Sequence, residues 1–148
     1  MRMLLSMSGA ALAATIFAGA ALAQDAASVT VAESGDYGQY LADAEGNALY
    51  LFTNDTQATN GTEASISCEG DCLQNWPLFT TSGDPTAGEG VDAEMLGTVA
   101  QGEETVVTYN GWPLYYFAGD EAAGDTAGQA RGDVWYLVSP GGEMIAGE

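Results

Sequence analysis

The sequence reads as all-β: a compact single domain of two related β-hairpin-containing repeats packed around an aromatic core. Three observations carry that reading. Leu49-Tyr50-Leu51-Phe52-Thr53-Asn54-Asp55 recurs as Leu114-Tyr115-Tyr116-Phe117-Ala118-Gly119-Asp120, and a glycine (Gly46, Gly111) precedes each copy at the same distance. Self-similarity of this kind marks a duplicated structural unit. Downstream of residue 23 no segment sustains a 3.6-residue apolar period, and short aromatic or β-branched runs alternate with turn signals.

The elements follow in order. Residues 1–23 have the form of a signal peptide: Arg2 is the basic start, Leu4 to Leu22 is nearly all small or apolar, and Ala21-Leu22-Ala23 precedes Gln24 as an A-x-A cleavage site. No cysteine follows the apolar run to accept a lipid, so the mature chain from Gln24 is expected to carry no membrane anchor. Residues 24–36 are polar and alanine-rich, a flexible lead-in in which Val29, Val31 and Ala32 are a candidate first strand. Repeat one, about 37–80, opens with a hairpin: Tyr40-Leu41-Ala42, the turn Asp43-Ala44-Glu45-Gly46, then Ala48 to Phe52. Gly46 suits the left-handed position that closes such a loop. A polar loop, Asn54 to Ser67, leads to Cys68 to Cys72 and the apolar Trp76-Pro77-Leu78-Phe79.

Thr80 to Gly102 reads as a Gly/Asp/Glu-rich connector in which Met95-Leu96 marks a single helical turn. Repeat two, about 105–140, begins with Val106 to Tyr109, turns at Asn110-Gly111 and continues as Trp112 to Phe117. Asn-Gly between such runs is a strong hairpin signal, and Pro113 places the second strand's start at an edge. Asp120 to Asp133 is an acidic, glycine-rich loop before the final strand Val134 to Val138, and residues 141–148 form a C-terminal tail. With a side-chain period of two, Tyr50 and Phe52 share one face and Leu49 and Leu51 the other. Tyr115 and Phe117 oppose Leu114 and Tyr116 in the same way. Apolar residues on both faces require central strands, and neither repeat could bury its own surface alone.

Composition excludes several functions. The chain has 21 acidic residues, two arginine or lysine residues, no histidine and a formal net charge of −19. Nucleic acid is excluded as a partner because nothing could neutralise phosphates, and anionic membrane surfaces are disfavoured for the same reason. Adaptation to a saline medium accounts for the acidity better than cation capture does, since salt screens the self-repulsion. Without histidine, Ser-His-Asp and Cys-His nucleophiles cannot be assembled. Cys68, Cys72, Met95, Met144 and carboxylates make a poor set for zinc or copper. No acidic pair is singled out by spacing for a glycosidase-type dyad. No catalytic residues and no cofactor are expected.

The motif itself supports two chemistries. In one, Tyr50 with Asp55 and Tyr115 with Asp120 are structural pins, each aspartate capping a turn and each pair locking its strand to the following loop. In the other, Asp120, Asp125 and Asp133, joined by Asp55, are ligands for a hard cation such as Ca²⁺, although their spacing does not match an EF-hand loop. The structural reading is preferred. Cys68 and Cys72, in a chain read as exported, are most simply a disulfide closing a very short loop, worth about 2 kcal/mol on the chain-entropy model. A redox role is the weaker alternative, because the spacing is C-x3-C and neighbouring acids disfavour a thiolate.

These residues resemble a known family. The doubled Tyr-x-Phe-x-x-Asp (Tyr50, Phe52, Asp55; Tyr115, Phe117, Asp120) is similar to the bacterial secreted or lipoprotein repeats named for a Y-x-[FWY]-x-x-D motif. Cys68-x3-Cys72 with Trp76-Pro77, and Gly124 to Gln129 leading to Val134 to Val138, resemble its continuation in each repeat. The resemblance implies an extracytoplasmic bacterial domain of two repeats without an established activity. The expectation is therefore a periplasmic or secreted, non-enzymatic binding or structural module, with an extracytoplasmic protein as its candidate partner. The alternatives are a cation-binding protein using the loop aspartates and a thiol-disulfide or electron-transfer accessory using the cysteine pair.

Overall fold

The structure is a computed structural model that describes residues 26–146. The expected signal peptide of residues 1–23 and the expected cleavage near Ala23/Gln24 lie outside the described residues.

Among the described residues the regular secondary structure is almost all strand, in three small sheets. Strands β1 (Ser28–Ser34) and β2 (Gly38–Asp43) pair antiparallel along their length, and β4 (Thr86–Ala87) adds to β1 in parallel. Strand β3 (Tyr50–Phe52) pairs antiparallel with β8 (Trp135–Leu137), matching Tyr50 to Leu137 and Phe52 to Trp135. The third sheet runs in the order β5 (Leu96–Gln101), β6 (Glu104–Tyr109), β7 (Trp112–Pro113). A five-residue helix α1 (Asp71–Asn75) and a 3₁₀ turn (Ala93–Met95) complete the secondary structure among the described residues.

Both hairpin turns form where the glycines place them. Asn110 and Gly111 take φ of 50° and 84°, the paired positive angles of a type I′ turn, and Gly46 takes 92°. The first hairpin is shorter than the sequence suggests. Asp43 N–H bonds to Asn47 C=O and Leu49 N–H to Leu41 C=O, but β3 then leaves β2 and pairs with β8. Trp112 to Phe117 also stops early as a ladder: β7 covers only Trp112–Pro113, and Tyr115 then bridges to both Tyr50 and Leu78.

The candidate first strand at Val29, Val31 and Ala32 forms as β1, which orders this part of the expected flexible lead-in, because Val29 is fully buried and the strand finds a complete partner in β2. Other segments differ from expectation. The connector from Thr80 to Gly102 contains β4 and β5. Strand β5 escapes a sequence reading because it alternates between half-buried and exposed positions and carries a glycine. The tail beyond Pro140 folds back: Gly142 N–H bonds to Ser139 C=O at 2.9 Å with φ of 86°, and Ile145 N–H reaches Leu137 C=O at 2.8 Å. Helix α1 follows Gly70, whose positive φ turns the chain, and the Cys68–Cys72 disulfide spans its start.

The alternation of the motif strands divides the core. Tyr50, Phe52 and Tyr115, with Phe117 packed against them, belong to one cluster that also holds Tyr40, Trp76 and Trp135. Leu49, Leu51 and Leu114, with Tyr116 against them, belong to a second with Val29, Leu41, Phe79, Val107 and Tyr109. Leu49 to Phe52 are buried on both faces, and the second motif strand buries Leu114 on one face and Tyr115 on the other, with Tyr116 and Phe117 half-buried, which puts the two strands at the centre of the domain.

Candidate functional site

The two motif strands meet at their tyrosines. Tyr50 N–H donates to Tyr115 C=O at 2.8 Å and Tyr115 N–H to Tyr50 C=O at 2.9 Å, so the repeats are related as antiparallel neighbours at this point. Each phenol then reaches the carboxylate of the other repeat. Tyr50 donates its hydroxyl to Asp120 Oδ2 at 2.7 Å, and Tyr115 donates to Asp55 Oδ2 at 2.5 Å. The expected pins, Tyr50 with Asp55 and Tyr115 with Asp120, are thereby corrected: the partners are exchanged. Within a repeat the strand carries its aspartate away from its tyrosine, while the crossing at Tyr50 and Tyr115 turns each phenol toward the opposite loop.

The aspartates do hold their own loops. Asp55 Oδ1 accepts Ser67 N–H at 2.7 Å and the Ser67 hydroxyl at 2.9 Å. Asp120 Oδ1 accepts Ala127 N–H at 2.8 Å, and Gly128 N–H donates to the Tyr50 oxygen at 3.1 Å. Each carboxylate thus ties its own loop to a tyrosine of the other repeat.

Aromatic rings follow the same exchange. Phe52 stacks on Trp135 (centroids 4.1 Å), Trp135 on Trp76 (3.8 Å, planes 2° apart) and Trp76 on Phe117 (4.4 Å). Tyr50 stands edge-on to Trp76 and Phe117, and Tyr115 edge-on to Trp135 and Phe52. Exchanging the repeats maps every one of these contacts onto another, with the Trp76–Trp135 pair on the axis. The two tryptophans were not among the predicted site residues. Their role depends on β8 lying beside β3, which local spacing does not encode.

A family model described as a secreted repeat of unknown function matches residues 31–80 and 97–139. The chain belongs to this family. No curated protein and no solved structure matches it. The two matched stretches each carry one copy of the Tyr-x-Phe-x-x-Asp pattern, so the exchange of partners joins one family unit to the other. Among the described residues no helix is long and apolar enough to cross a membrane.

Burial dominates the electrostatics of these pairs. It pushes the Tyr50 and Tyr115 hydroxyls far above the ordinary phenol value, and their bonds to Asp120 and Asp55 add to the shift. Burial also raises the Asp55 and Asp120 carboxyls, against the hydrogen bonds from Ser67 and Tyr115 at one and from Tyr50 and Ala127 at the other. A third pair lies outside the repeated motif. Tyr116 donates to Asp43 Oδ2 at 2.7 Å, while Asp43 also accepts N–H groups from Glu45 and Asn47. Burial pushes Asp43 up, but the bonds from Tyr116, Asn47 and Glu45 outweigh it and hold the carboxyl below its ordinary value. A turn aspartate facing the extra tyrosine of the second motif was the one available signal for this pair.

The remaining candidates stay apart. Asp125 Oδ2 accepts the Glu121 and Ala122 N–H groups within its own turn, and Asp133 sits at a positive φ of 59°. Among the described residues no three Cys, Asp or Glu side chains gather closely enough to hold a metal ion. Cys68 and Cys72 form a disulfide with Cα atoms 5.3 Å apart, packed against the Tyr50–Trp76 cluster. Two adjoining surface grooves, about 670 and 360 Å³, share Asp43, Glu45 and Tyr116. A third, about 430 Å³, is bordered by Trp76, Trp135, Phe117 and Arg131. Arg131 lies 5.0 Å over the Phe117 ring and donates Nε–H to Ala127 C=O at 3.0 Å.

Proposed function

We propose that this chain is an exported, non-enzymatic module whose motif carries structure, in the periplasm or outside the cell after cleavage near Ala23/Gln24. One observation carries the reading: both motif carboxylates are occupied within the fold, each by a tyrosine of the other repeat and by groups of its own loop. A carboxylate so engaged is poorly placed to take a proton from a bound substrate or to ligate a cation. Family membership supports the exported setting.

Two measurements test this proposal. N-terminal sequencing of the protein recovered from the extracytoplasmic fraction is expected to begin at Gln24; a full-length chain retained in the cytoplasm overturns the export reading. Thermal melts with and without Ca²⁺ are expected to coincide. A Ca²⁺-dependent rise in Tm that disappears in Asp120→Asn or Asp55→Asn overturns the structural reading and makes the loop aspartates ligands.

A further inference from the structure

The core brings oxidisable side chains, the Trp76 and Trp135 indoles and the Tyr50 and Tyr115 phenols among them, into one cluster. Two indoles lie parallel at 3.8 Å between the stacked rings of Phe52 and Phe117, and Trp76 and Trp135, 7% and 6% exposed, line an open groove. Each indole has a buried phenol edge-on to it, Tyr50 at 5.4 Å from Trp76 and Tyr115 at 4.9 Å from Trp135. Each phenol is hydrogen-bonded to a carboxylate, at 2.7 and 2.5 Å.

Three chemical facts make this arrangement specific. A positive charge on one indole spreads over a parallel partner in van der Waals contact, which eases its oxidation. A phenol cannot give up an electron cheaply unless it gives up its proton too, and in a buried site that proton needs an acceptor already in place. A carboxylate at hydrogen-bond distance is such an acceptor, and burial that raises its proton affinity improves it.

We propose that the aromatic core is a one-electron relay, in which an electron removed from the Trp76–Trp135 pair is replaced by Tyr50 or Tyr115, with the phenolic proton passing to Asp120 or Asp55. The oxidant is a one-electron acceptor reaching the indoles at the groove, such as a small inorganic or peroxyl radical. It gains the electron and leaves an indole radical cation. The adjacent tyrosine then transfers one electron to the indole and its O–H proton to the carboxylate, giving a neutral indole, a neutral tyrosyl radical and a carboxylic acid. A one-electron donor such as a thiolate or a quinol restores the phenol, which takes its proton back from the aspartic acid. The fold supplies two such pairs, related by the exchange of repeats.

The test is pulse radiolysis of the folded protein with azide radical, which oxidises indoles, following the decay of the tryptophan radical and the growth of the tyrosyl radical by absorbance. Conversion is expected to be first order, independent of protein concentration and slower in heavy water. Trp112→Phe, which removes the third indole from the separate apolar cluster, is expected to leave it unchanged. Tyr50→Phe/Tyr115→Phe keeps both rings and is expected to slow conversion by on the order of ten-fold, equivalent to ~1.4 kcal/mol in barrier. Asp55→Asn/Asp120→Asn, with both tyrosines present, is expected to slow it in the same direction. A tryptophan radical that persists in the unaltered protein, or a conversion with no heavy-water effect, overturns the relay without any variant. A doubly Phe-substituted protein that converts at the original rate also overturns it.

Discussion

The exchange of partners between repeats is measurable as a coupling free energy. Tyr115→Phe keeps the ring and its edge contacts with Trp135 and Phe52, and removes only the hydroxyl that donates to Asp55 at 2.5 Å. Both residues are buried, Tyr115 at 0% and Asp55 at 6% exposure, so the lost bond is not replaced by bulk water. Hydrogen bonds to charged groups contribute about 1.5–3 kcal/mol, and Asp55 retains the two bonds from Ser67, which places Tyr115→Phe near the lower end. A double-mutant cycle with Asp55→Asn is expected to give a coupling of about 1–2 kcal/mol. The same cycle between Tyr115 and Asp120, partners in sequence but not in space, is expected to fall below about 0.5 kcal/mol. Guanidinium unfolding followed by tryptophan fluorescence is the assay, because the stacked indoles lie beside both pairs, with m-values checked for constancy across the cycle. A coupling that appears between Tyr115 and Asp120 and is absent between Tyr115 and Asp55 refutes the exchange.

Three further outcomes follow from the same geometry. The hydroxyls of Tyr50 and Tyr115 are raised by burial and by their aspartates, so their contribution is complete below the unfolded phenol value and is lost as pH rises past it. At about pH 11 the two together cost roughly 3 kcal/mol of stability, about 1.4 kcal/mol each per pH unit above ~10; chemical denaturation at pH values on either side of 10 measures this, and an equally steep loss in Tyr50→Phe/Tyr115→Phe contradicts it. On the acid side the carboxylates divide. Asp55 and Asp120 are raised, so their contribution is greatest below the unfolded carboxyl value and declines as pH rises through it to the folded one, whereas that of lowered Asp43 is present above the unfolded value and is lost as pH falls through its folded value. Relative to the unaltered protein, Asp43→Asn should therefore lose more stability at neutral pH than at acid pH, and Asp55→Asn should show the opposite trend in the same melts. At the hairpin turns, Gly111→Ala is expected to destabilise more than Gly46→Ala: both have positive φ, but a Cβ at Gly111 would lie 2.3 Å from the Ala58 carbonyl oxygen, against 3.1 Å from the Ala123 methyl at Gly46. Equal Tm losses would show that the loop carrying Ala58 yields without cost.

Much of the fold was legible because it depends on period and punctuation. The alternation in Leu49-Tyr50-Leu51-Phe52 assigned each residue to the core cluster it occupies, and Asn110-Gly111 marked a turn with the dihedral angles such a pair adopts. The disulfide followed from two cysteines in a chain read as exported. What the sequence did not encode locally was neighbourhood. Period two fixes which face Tyr50 occupies but not which loop lies across from it, so Asp120 could not be distinguished from Asp55 as its partner. The stack of Trp76 on Trp135 is equally non-local, since it exists only because β8 pairs with β3. Strand β5 was hidden by its half-exposed pattern, and Asp43 by its ordinary appearance in a turn.

Exchange also explains why the repeat occurs as a pair. Had each tyrosine bonded the aspartate of its own repeat, a single repeat would have satisfied its motif hydroxyl and carboxylate without a partner. As built, isolating either repeat leaves a phenol without its acceptor, a carboxylate without that donor and one half of the indole stack facing water. Unpaired polar groups of this kind are costly when buried, and a lone stacked indole has lost its apolar neighbour. The penalty falls on both halves at once, so folding one repeat without the other gains little, and the two should unfold as a single cooperative unit. A duplicated sequence has here become one indivisible structure, and the residues that repeat most faithfully are those that make it so.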